Sequence, residues 1–403
     1  MEAGKMAREK VCIVASVYFS LGGMGSMIRQ LAKVLEERYE VRLLSIKLIE
    51  DERRSFTHYN TALNSRLNLL INPWHVPSLF LYELSGIVWC FALRLLGVKR
   101  FLVQDAISSA LFATLVGKIT NARVFLFDYG PMMFLHDPSF LRESNKFRSG
   151  YLHATYTKLL KIANRFAIRH CHKFFVYSQE MKQCVLVKGL ESRKMVMYKF
   201  PIDTTVFREY NSAEKEKIRH RLTIDKDNVV VTFIGRISKD KGLLYLLEAM
   251  KFFIEKYNKK VCFLVAGHGP LEDWFVKKIA VYSSNVQFLG PLCYSEEVAH
   301  VLNASDIFVY PITVSYGYAL SVLEAMASGL PTIFTEVGPT KELVSHGNNA
   351  FVIPIKDSKT LINAIERLIG DAELRKQVGR NAKKVLEGFS VESYREKVLK
   401  HIG

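Results

Sequence analysis

Residues 306–354 read DIFVYPITVSYGYALSVLEAMASGLPTIFTEVGPTKELVSHGNNAFVIP. The run Ile307–Tyr310 is continuously apolar, as a strand buried on both faces of a parallel sheet must be. A loop through Ser315-Tyr316-Gly317-Tyr318 follows, then a short helix over about 318–328. Gly329-Leu330-Pro331 stops that helix and launches a second strand, Thr332–Thr335. A helix that begins beyond a strand's C-terminal end presents up to four amides without intrahelical partners. Its dipole adds positive potential, so an anion can be held there. Gly317 lets a ligand approach the backbone, Tyr316, Tyr318, Ala319 and Leu320 surround the same turn, and Glu324 lies about two turns along. This is a ligand-binding edge of an α/β sheet.

The same rhythm runs outward in both directions. Short apolar runs at 10–16, 41–46, 101–103, 124–127 and 173–178 alternate with helical patterns, and so do 229–234, 261–267 and 286–290. Alternation of this kind predicts parallel strands with right-handed crossovers, hence doubly wound sheets. A chain of 403 residues exceeds one comfortable core. We expect domains at 1–200 and 201–389, a linker near 199–212, and an amphipathic tail over 390–403. Two glycine-bearing loops stand between a strand and a helix, Gly22-Gly23-Met24-Gly25 and Gly235-Arg236-Ile237-Ser238-Lys239-Asp240-Lys241-Gly242. That placement suits a phosphate cradle, with a tight turn as the plain alternative for the first. Asp225-Lys226-Asp227 has the spacing of a metal-binding pair, but it precedes its strand, whereas ligands bind beyond strand C-terminal ends. It reads as a turn.

Glu324-Ala325-Met326-Ala327-Ser328-Gly329-Leu330-Pro331, with Gly338 and Glu342-Leu343-Val344 beyond, resembles the donor-sugar site of the family 4 retaining glycosyltransferases of the GT-B fold. The resemblance covers about residues 10–400 and is closest over 229–354. It implies two Rossmann-like doubly wound parallel-sheet domains facing a cleft, the second binding a nucleotide-diphosphate sugar as co-substrate. It further implies transfer of the glycosyl group to an acceptor hydroxyl with retention of configuration. Members of the family carry two glutamates separated by seven residues. The second falls on Glu324, which would hold the ribose hydroxyls, and the first position is occupied here by Tyr316. Arg236 and Lys241 resemble the pair that grips the donor diphosphate, and a guanidinium fork beside a point-charge ammonium suits two adjacent phosphates. Donor contacts are implied for Gly22, Gly23, Gly235, Tyr316, Gly317, Tyr318, Ala319 and Leu320. With two cations in that electrostatic role, no metal and no other cofactor is expected. Where the family places a histidine after a first-domain strand, this chain has Phe127-Asp128, and His136 in the loop beyond could supply the imidazole. The segment 286–290 corresponds to the edge of the family's nucleobase pocket. The tail corresponds to the helix that packs back on the first domain.

Charge is unevenly placed. Residues 1–200 hold 29 Lys/Arg against 15 Asp/Glu, a net of +14, and residues 201–403 hold 27 against 24, a net of +3. The basic excess of the first half points to an anionic surface. Within the acid-free run 144–179, Lys158, Lys161, Arg165 and Arg169 fall on one helical face beside apolar residues. That pattern predicts a helix lying against an anionic membrane, with a solvated face of an ordinary helix as the alternative.

The six cysteines form no regular framework, which predicts reduced thiols in a cytosolic compartment. His170-Cys171-His172 point in different directions on a helix and make a poor metal set. The polar opening of the chain predicts no secretory signal, and the apolar stretch 78–97 contains Glu83 and Arg94, which favours a core or interfacial helix over a spanning one. The combined expectation is a cytoplasmic, peripheral enzyme at the inner membrane face acting on a lipid-linked glycan or glycolipid. Two rivals stay open: a non-catalytic nucleotide-sugar-binding partner, and a nucleic-acid-directed protein using the basic half. Against nucleic acid, the basic stretch offers a helix with an apolar face in place of aromatic stacking platforms.

Overall fold

Two compact units make up the chain, Met1–Phe200 with Glu392–Gly403, and Pro201–Val391. The computed structural model describes residues 8–19, 23–49, 68–71, 79–104, 108–127, 150–257, 260–282, 284–292, 295–314 and 317–403. Both units are Rossmann-like doubly wound parallel sheets of the GT-B type.

The first unit is built on β1 (Lys10–Phe19), β2 (Glu40–Ile49), β3 (Asn68–Ile71), β4 (Val98–Val103), β5 (Arg123–Phe127), β6 (Lys173–Val176) and β7 (Met195–Met197). Their order in the sheet is β3-β2-β1-β4-β5-β6-β7, all parallel. Helices α1 (Gly23–Glu36), α2 (Leu79–Leu95), α3 (Ser108–Thr120), α4 (Gly150–His170) and α5 (Gln179–Val187) make the crossovers. The described side chains of the central strands are buried on both faces, which is why they read as unbroken apolar runs. Phe127 stacks on Phe175 at 4.2 Å and 8° between β5 and β6, so the position where an imidazole was sought is fully buried aromatic core. Helix α3 lies between α2 and α4. Gly86 permits the close approach of α2 and α3, because a Cβ there would stand 2.6 Å from the Phe112 ring.

The expected loop at 22–25 is helix from Gly23 onward, so Gly23, Met24 and Gly25 form the first turn of α1. Gly22, Asp128 and His136 lie outside the described residues. Strands β3 and β7 carry no sequence signal beyond three or four apolar residues and were not anticipated as elements.

The second unit holds α6 (Ser212–Arg221), β8 (Val229–Ile234), α7 (Leu243–Tyr257), β9 (Val261–Ala266), α8 (Glu272–Ile279), β10 (Val286–Gly290), α9 (Ser295–Ala304), β11 (Ile307–Tyr310), α10 (Leu320–Ala327), β12 (Thr332–Thr335), β13 (Phe351–Ile353), α11 (Ser358–Gly370) and α12 (Ala372–Val385). The sheet order is β10-β9-β8-β11-β12-β13, again all parallel. Strand order reverses between β8 and β11, and the crevice beyond the C-terminal ends of those two strands is where such sheets bind ligands. Residues 225–227 form the expected turn, with the Asp227 amide donating to Asp225 Oδ1 at 3.1 Å.

The last helix, α13 (Val391–Ile402), belongs to the first unit over all but its first residue. It is held by Tyr394, fully buried with its ring 5.6 Å from that of Tyr198, by Arg395 on Glu37 at 2.7 Å, and by Arg123 Nη1 donating to the Gly403 carbonyl at 3.1 Å. The aromatic contact and the exposed ion pair differ in weight. Tyr394→Ala empties a packed site and is expected to lower the stability of the first unit by about 3–5 kcal/mol, whereas Arg395→Ala should cost about 1 kcal/mol or less. Denaturant unfolding of the two variants checks the ordering.

Candidate functional site

The loops that leave β8 and β11 are stitched together through their backbones. After β8, the Gly235 amide donates to the Ala266 carbonyl at 3.0 Å, Ile237 to His268 at 3.0 Å, and Leu271 back to Ile237 at 3.0 Å, which joins this loop to the one after β9. Asp240 ties the loop to the chain after β11, because its carbonyl accepts from the Thr313 amide at 2.8 Å and from Thr313 Oγ1 at 3.2 Å. Gly242 stands at φ +70°, and a Cβ there would meet the Pro311 carbonyl oxygen at 1.8 Å. Only glycine serves both the left-handed turn and the close approach.

Arg236 and Lys241, paired in the sequence reading, are placed differently. Arg236 is exposed, and among the described residues its guanidinium makes no hydrogen bond or ion pair. Lys241 is largely covered. Its Nζ lies 3.0 Å from Asp240 Oδ2 and 5.8 Å from the centre of the Tyr310 ring. Burial alone would lower its pKa, but Tyr310 and Asp240 together outweigh burial and raise it, so the ammonium is firmly charged. Asp240 is in turn oriented by Ser238 Oγ at 2.5 Å. Lys241 is therefore half of an ion pair, a relation that spacing alone could not reveal.

Beyond β11, the helix α10 starts at Leu320, two residues later than the sequence suggested, with Ala319 as an N-cap that supplies no side-chain bond. Fewer amides are open than the four expected. Val322 and Leu323 donate to the Ala319 carbonyl at 2.9 and 3.2 Å, and the Ala319 amide donates to Thr340 Oγ1 at 3.2 Å. Among the described residues, the amides of Leu320 and Ser321 have no acceptor, and they point out of the helix start. Thr340, the buried residue that fixes this turn, was not singled out from the sequence; its place in the Gly338-Pro339-Thr340 segment was the available signal. Gly317 and Tyr318 flank the turn, the Tyr318 ring meeting Phe389 edge-on at 6.2 Å, and burial pushes its hydroxyl up. Tyr316 lies outside the described residues.

Glu324 sits one turn into α10. The residue is only partly covered, but enough protein surrounds its carboxyl that burial pushes it up to about 7, and among the described residues it accepts no hydrogen bond. At the same sheet edge, His268 after β9 contacts Glu272 at the start of α8 through Nδ1 and Oε2. No three His, Cys, Asp or Glu side chains among the described residues gather as a metal-binding group. Cys171 and His172 are engaged locally: the Cys171 thiol donates to the Ile168 carbonyl at 3.2 Å, and the Val124 amide donates to His172 Nδ1 at 3.2 Å. In the first unit, Lys158, Arg165 and Arg169 are exposed along α4 and Lys161 is half-buried. None of the helices, among the described residues, is long and apolar enough to cross a membrane.

The family described as glycosyl transferases group 1 matches residues 214–385, the stretch that carries both loops. Over that stretch, less than half of the chain, the sequence is similar to the group 1 glycosyltransferases. An uncharacterized glycosyltransferase of Methanocaldococcus jannaschii is 27% identical over 252 residues, 60% of this chain and 63% of that one. The UDP-Gal:alpha-D-GlcNAc-diphosphoundecaprenol alpha-1,3-galactosyltransferase of Escherichia coli is 29% identical over 187 residues, 46% of this chain and 47% of that one. The matched part of the chain thus spans between about half and two thirds of these curated relatives. Among solved structures, the Anabaena protein HepE in complex with UDP and glucose superposes with a TM-score of 0.75, covering 97% of this chain and 98% of that one at 17% identity. That likeness establishes a shared GT-B fold.

The raised pKa of Glu324 has a thermodynamic consequence. An unfolded glutamate titrates near 4.5 and the folded one at about 7, so between those values the folded state holds the extra proton. Stability from this group is complete below about 4.5 and declines as pH rises through 7, by about 3 kcal/mol. Glu324→Gln should therefore match the parent protein near pH 4.5 and exceed it in stability above pH 7. Urea unfolding of both proteins at the two pH values measures the difference, in which all other titrating groups cancel.

Proposed function

We propose that this protein transfers a glycosyl group from a nucleotide-diphosphate sugar to an acceptor hydroxyl with retention of configuration. The observation that carries the reading is a set of groups at the β8/β11 switch point that have no partner among the described residues: the guanidinium of Arg236, the amides of Leu320 and Ser321, and the carboxyl of Glu324. A diphosphate presents acceptors and negative charge to the first two, and a ribose diol presents donors to the third. Each half of the ligand supplies what the protein leaves unpaired.

In this mechanism the bond between the sugar and the terminal phosphate oxygen breaks while the acceptor oxygen bonds to the sugar on the same face, and the acceptor hydroxyl's proton passes to the departing phosphate oxygen beside it. The leaving diphosphate gains negative charge, and Arg236 with the α10 amides stabilises it by donors already in place. Lys241, paired with Asp240, fixes the shape of the loop that carries Arg236. Gly235 and Gly317 let the backbone come close to the ligand. Tyr316 replaces a carboxylate in the sugar pocket by a single, mostly neutral phenol, and so reads the sugar hydroxyls differently. No metal is assigned a role, because the cations and amides supply the charge stabilisation.

The printed name of the Escherichia coli relative specifies a UDP-sugar donor and a diphosphoundecaprenol-linked acceptor, and the Anabaena structure holds UDP. These support a UDP-sugar as donor and a lipid-linked glycan or glycolipid as acceptor. A peripheral position on the cytosolic membrane face fits Lys158, Lys161, Arg165 and Arg169 along α4. A second reading, a nucleotide-sugar-binding protein without transfer, draws on Phe127, a buried aromatic stacked on Phe175 at the end of the strand after which the family places its histidine.

Thermal-shift measurements with UDP-, GDP- and ADP-sugars test the binding, followed by transfer of labelled sugar to lipid-linked acceptors. Selective stabilisation by one donor class is expected, and absence of stabilisation by every nucleotide sugar would remove the proposal. Donor binding without transfer or hydrolysis would select the second reading. Arg236→Ala should leave the melting temperature unchanged, since the side chain is exposed, while losing about 2–4 kcal/mol of transition-state stabilisation, tens- to several-hundred-fold in kcat/KM.

A further inference from the structure

Helix α10 is only eight residues long, and its N-cap, Ala319, supplies no side-chain bond. A helix of that length does not hold itself in water, so its start is fixed by what touches it. Thr340 gives one restraint, its Oγ1 accepting from the Ala319 amide at 3.2 Å. A second comes from the Tyr318 ring, which meets Phe389 at 6.2 Å and 79°. Tyr318 directly precedes the N-cap, so this ring contact bears on the turn that delivers the Leu320 and Ser321 amides.

Phe389 reaches that turn from the end of α12, and the course of α12 is fixed at two places. Within the helix, a Cβ on Gly379 would stand 2.0 Å from the Gly329 carbonyl oxygen, just beyond the end of α10. Since Phe389 then meets Tyr318, just before α10 begins, α12 runs antiparallel to α10 and its chain touches both ends. Past α12, the Phe389 carbonyl accepts from the Ile202 amide at 2.6 Å, and Ser390 pairs with Ile202 in a parallel bridge. Phe389 and Ile202 are both buried. The second unit begins at Pro201 and ends at Val391. The ring that restrains the turn before α10 therefore stands on the paired segments by which this unit joins the rest of the chain.

We propose that Phe389 is a positioning residue for the donor, fixing the Tyr318 turn and its two open amides against the paired segments at Ile202 and Ser390. The proposal rests on the donor reading given above and adds to it a residue that acts through Tyr318. An edge-on ring contact has a preferred geometry, which an aliphatic side chain in the same place lacks. Replacing the ring by an aliphatic group thus separates positioning from the filling of space. The link also runs both ways, because a ligand that orders the turn orders whatever shares Phe389 with it.

The test combines hydrogen exchange, read by mass spectrometry, with UDP binding by calorimetry, both on the full chain. Phe389→Leu removes the ring. Tyr318→Leu, at a half-buried position, breaks the same contact from its other partner and serves should the first variant fail to fold. Phe253→Leu is the control, a buried ring of α7 that neighbours Tyr257 and Phe263. Without ligand, Phe389→Leu is expected to speed exchange over residues 317–323, where the Ala319, Val322 and Leu323 amides are bonded. It should bind UDP about three- to ten-fold more weakly. UDP should slow exchange at Ile202 in the unaltered protein and leave it unchanged in that variant. Phe253→Leu should lower the melting temperature comparably and alter none of these readings. Exchange and affinity that stay at their original values in both ring variants would overturn the proposal, and leave the donor reading standing. Equal changes in the control would overturn it as well, since they would mark a general loosening of the unit. An unaltered protein that binds none of UDP, GDP and ADP would overturn the donor reading itself, and with it the role given to Phe389.

Discussion

Two backbones can touch only where no Cβ stands between them, and that restriction recurs at consecutive loops on the C-terminal edge of the second sheet. A Cβ on Gly242 would stand 1.8 Å from the Pro311 carbonyl oxygen, and one on Gly267, at φ +141°, would stand 1.8 Å from that of Gly235. Such contacts leave the loops no room to shift relative to one another. The chain after β8 is fixed against the chain after β9 on one side and the chain after β11 on the other. The position of Arg236 and the entry to α10 follow from that packing. A site assembled from loops acquires the precision of a sheet because its loops are joined through their main chains.

Within this frame the charges fall into two classes. Lys241, Asp240 and Ser238 satisfy one another, so they define the shape and field of the loop without needing a ligand. Arg236, the Leu320 and Ser321 amides and Glu324 have no partner among the described residues. A buried carboxyl without donors is costly when ionised, and its titration near 7 expresses that cost. Hydrogen bonds from the hydroxyls of the proposed donor would favour the ionised form, so its binding near neutral pH would draw the proton off Glu324. The same group thus couples fold stability, pH and ligand.

Much of this was legible in the sequence where a segment's surroundings are uniform. β8, β11 and β12 were read to the residue, because strands covered on both faces are mainly apolar, and the half-covered edge strand β10 was read from its run up to Gly290. The motif at 324–331 carried the family, and the family carried the GT-B fold. Less was legible where local pattern and tertiary contact disagree. Gly23 and Gly25 look like a loop but form a helical turn, since a helix packed on β1 and β2 tolerates their lower propensity. β3 and β13 are too short for any periodicity to register. The pairing of Lys241 with Asp240, the cap by Thr340 and the rise of Glu324 depend on contacts and burial that spacing does not encode.

The sequence assigns the net of +14 to residues 1–200 as a whole, with four of its cations aligned on α4. Helix dipoles give one ordinary reason for cations at helix ends, and Lys118 on α3 and Arg169 on α4 conform to it. That reason does not reach Arg123 and Lys173, which begin strands, or Lys397, which lies a turn before the end of α13. Nor does it explain why Leu95, Ile119 and Val187 are exposed among those cations, since a dipole gains nothing from an aliphatic neighbour in water.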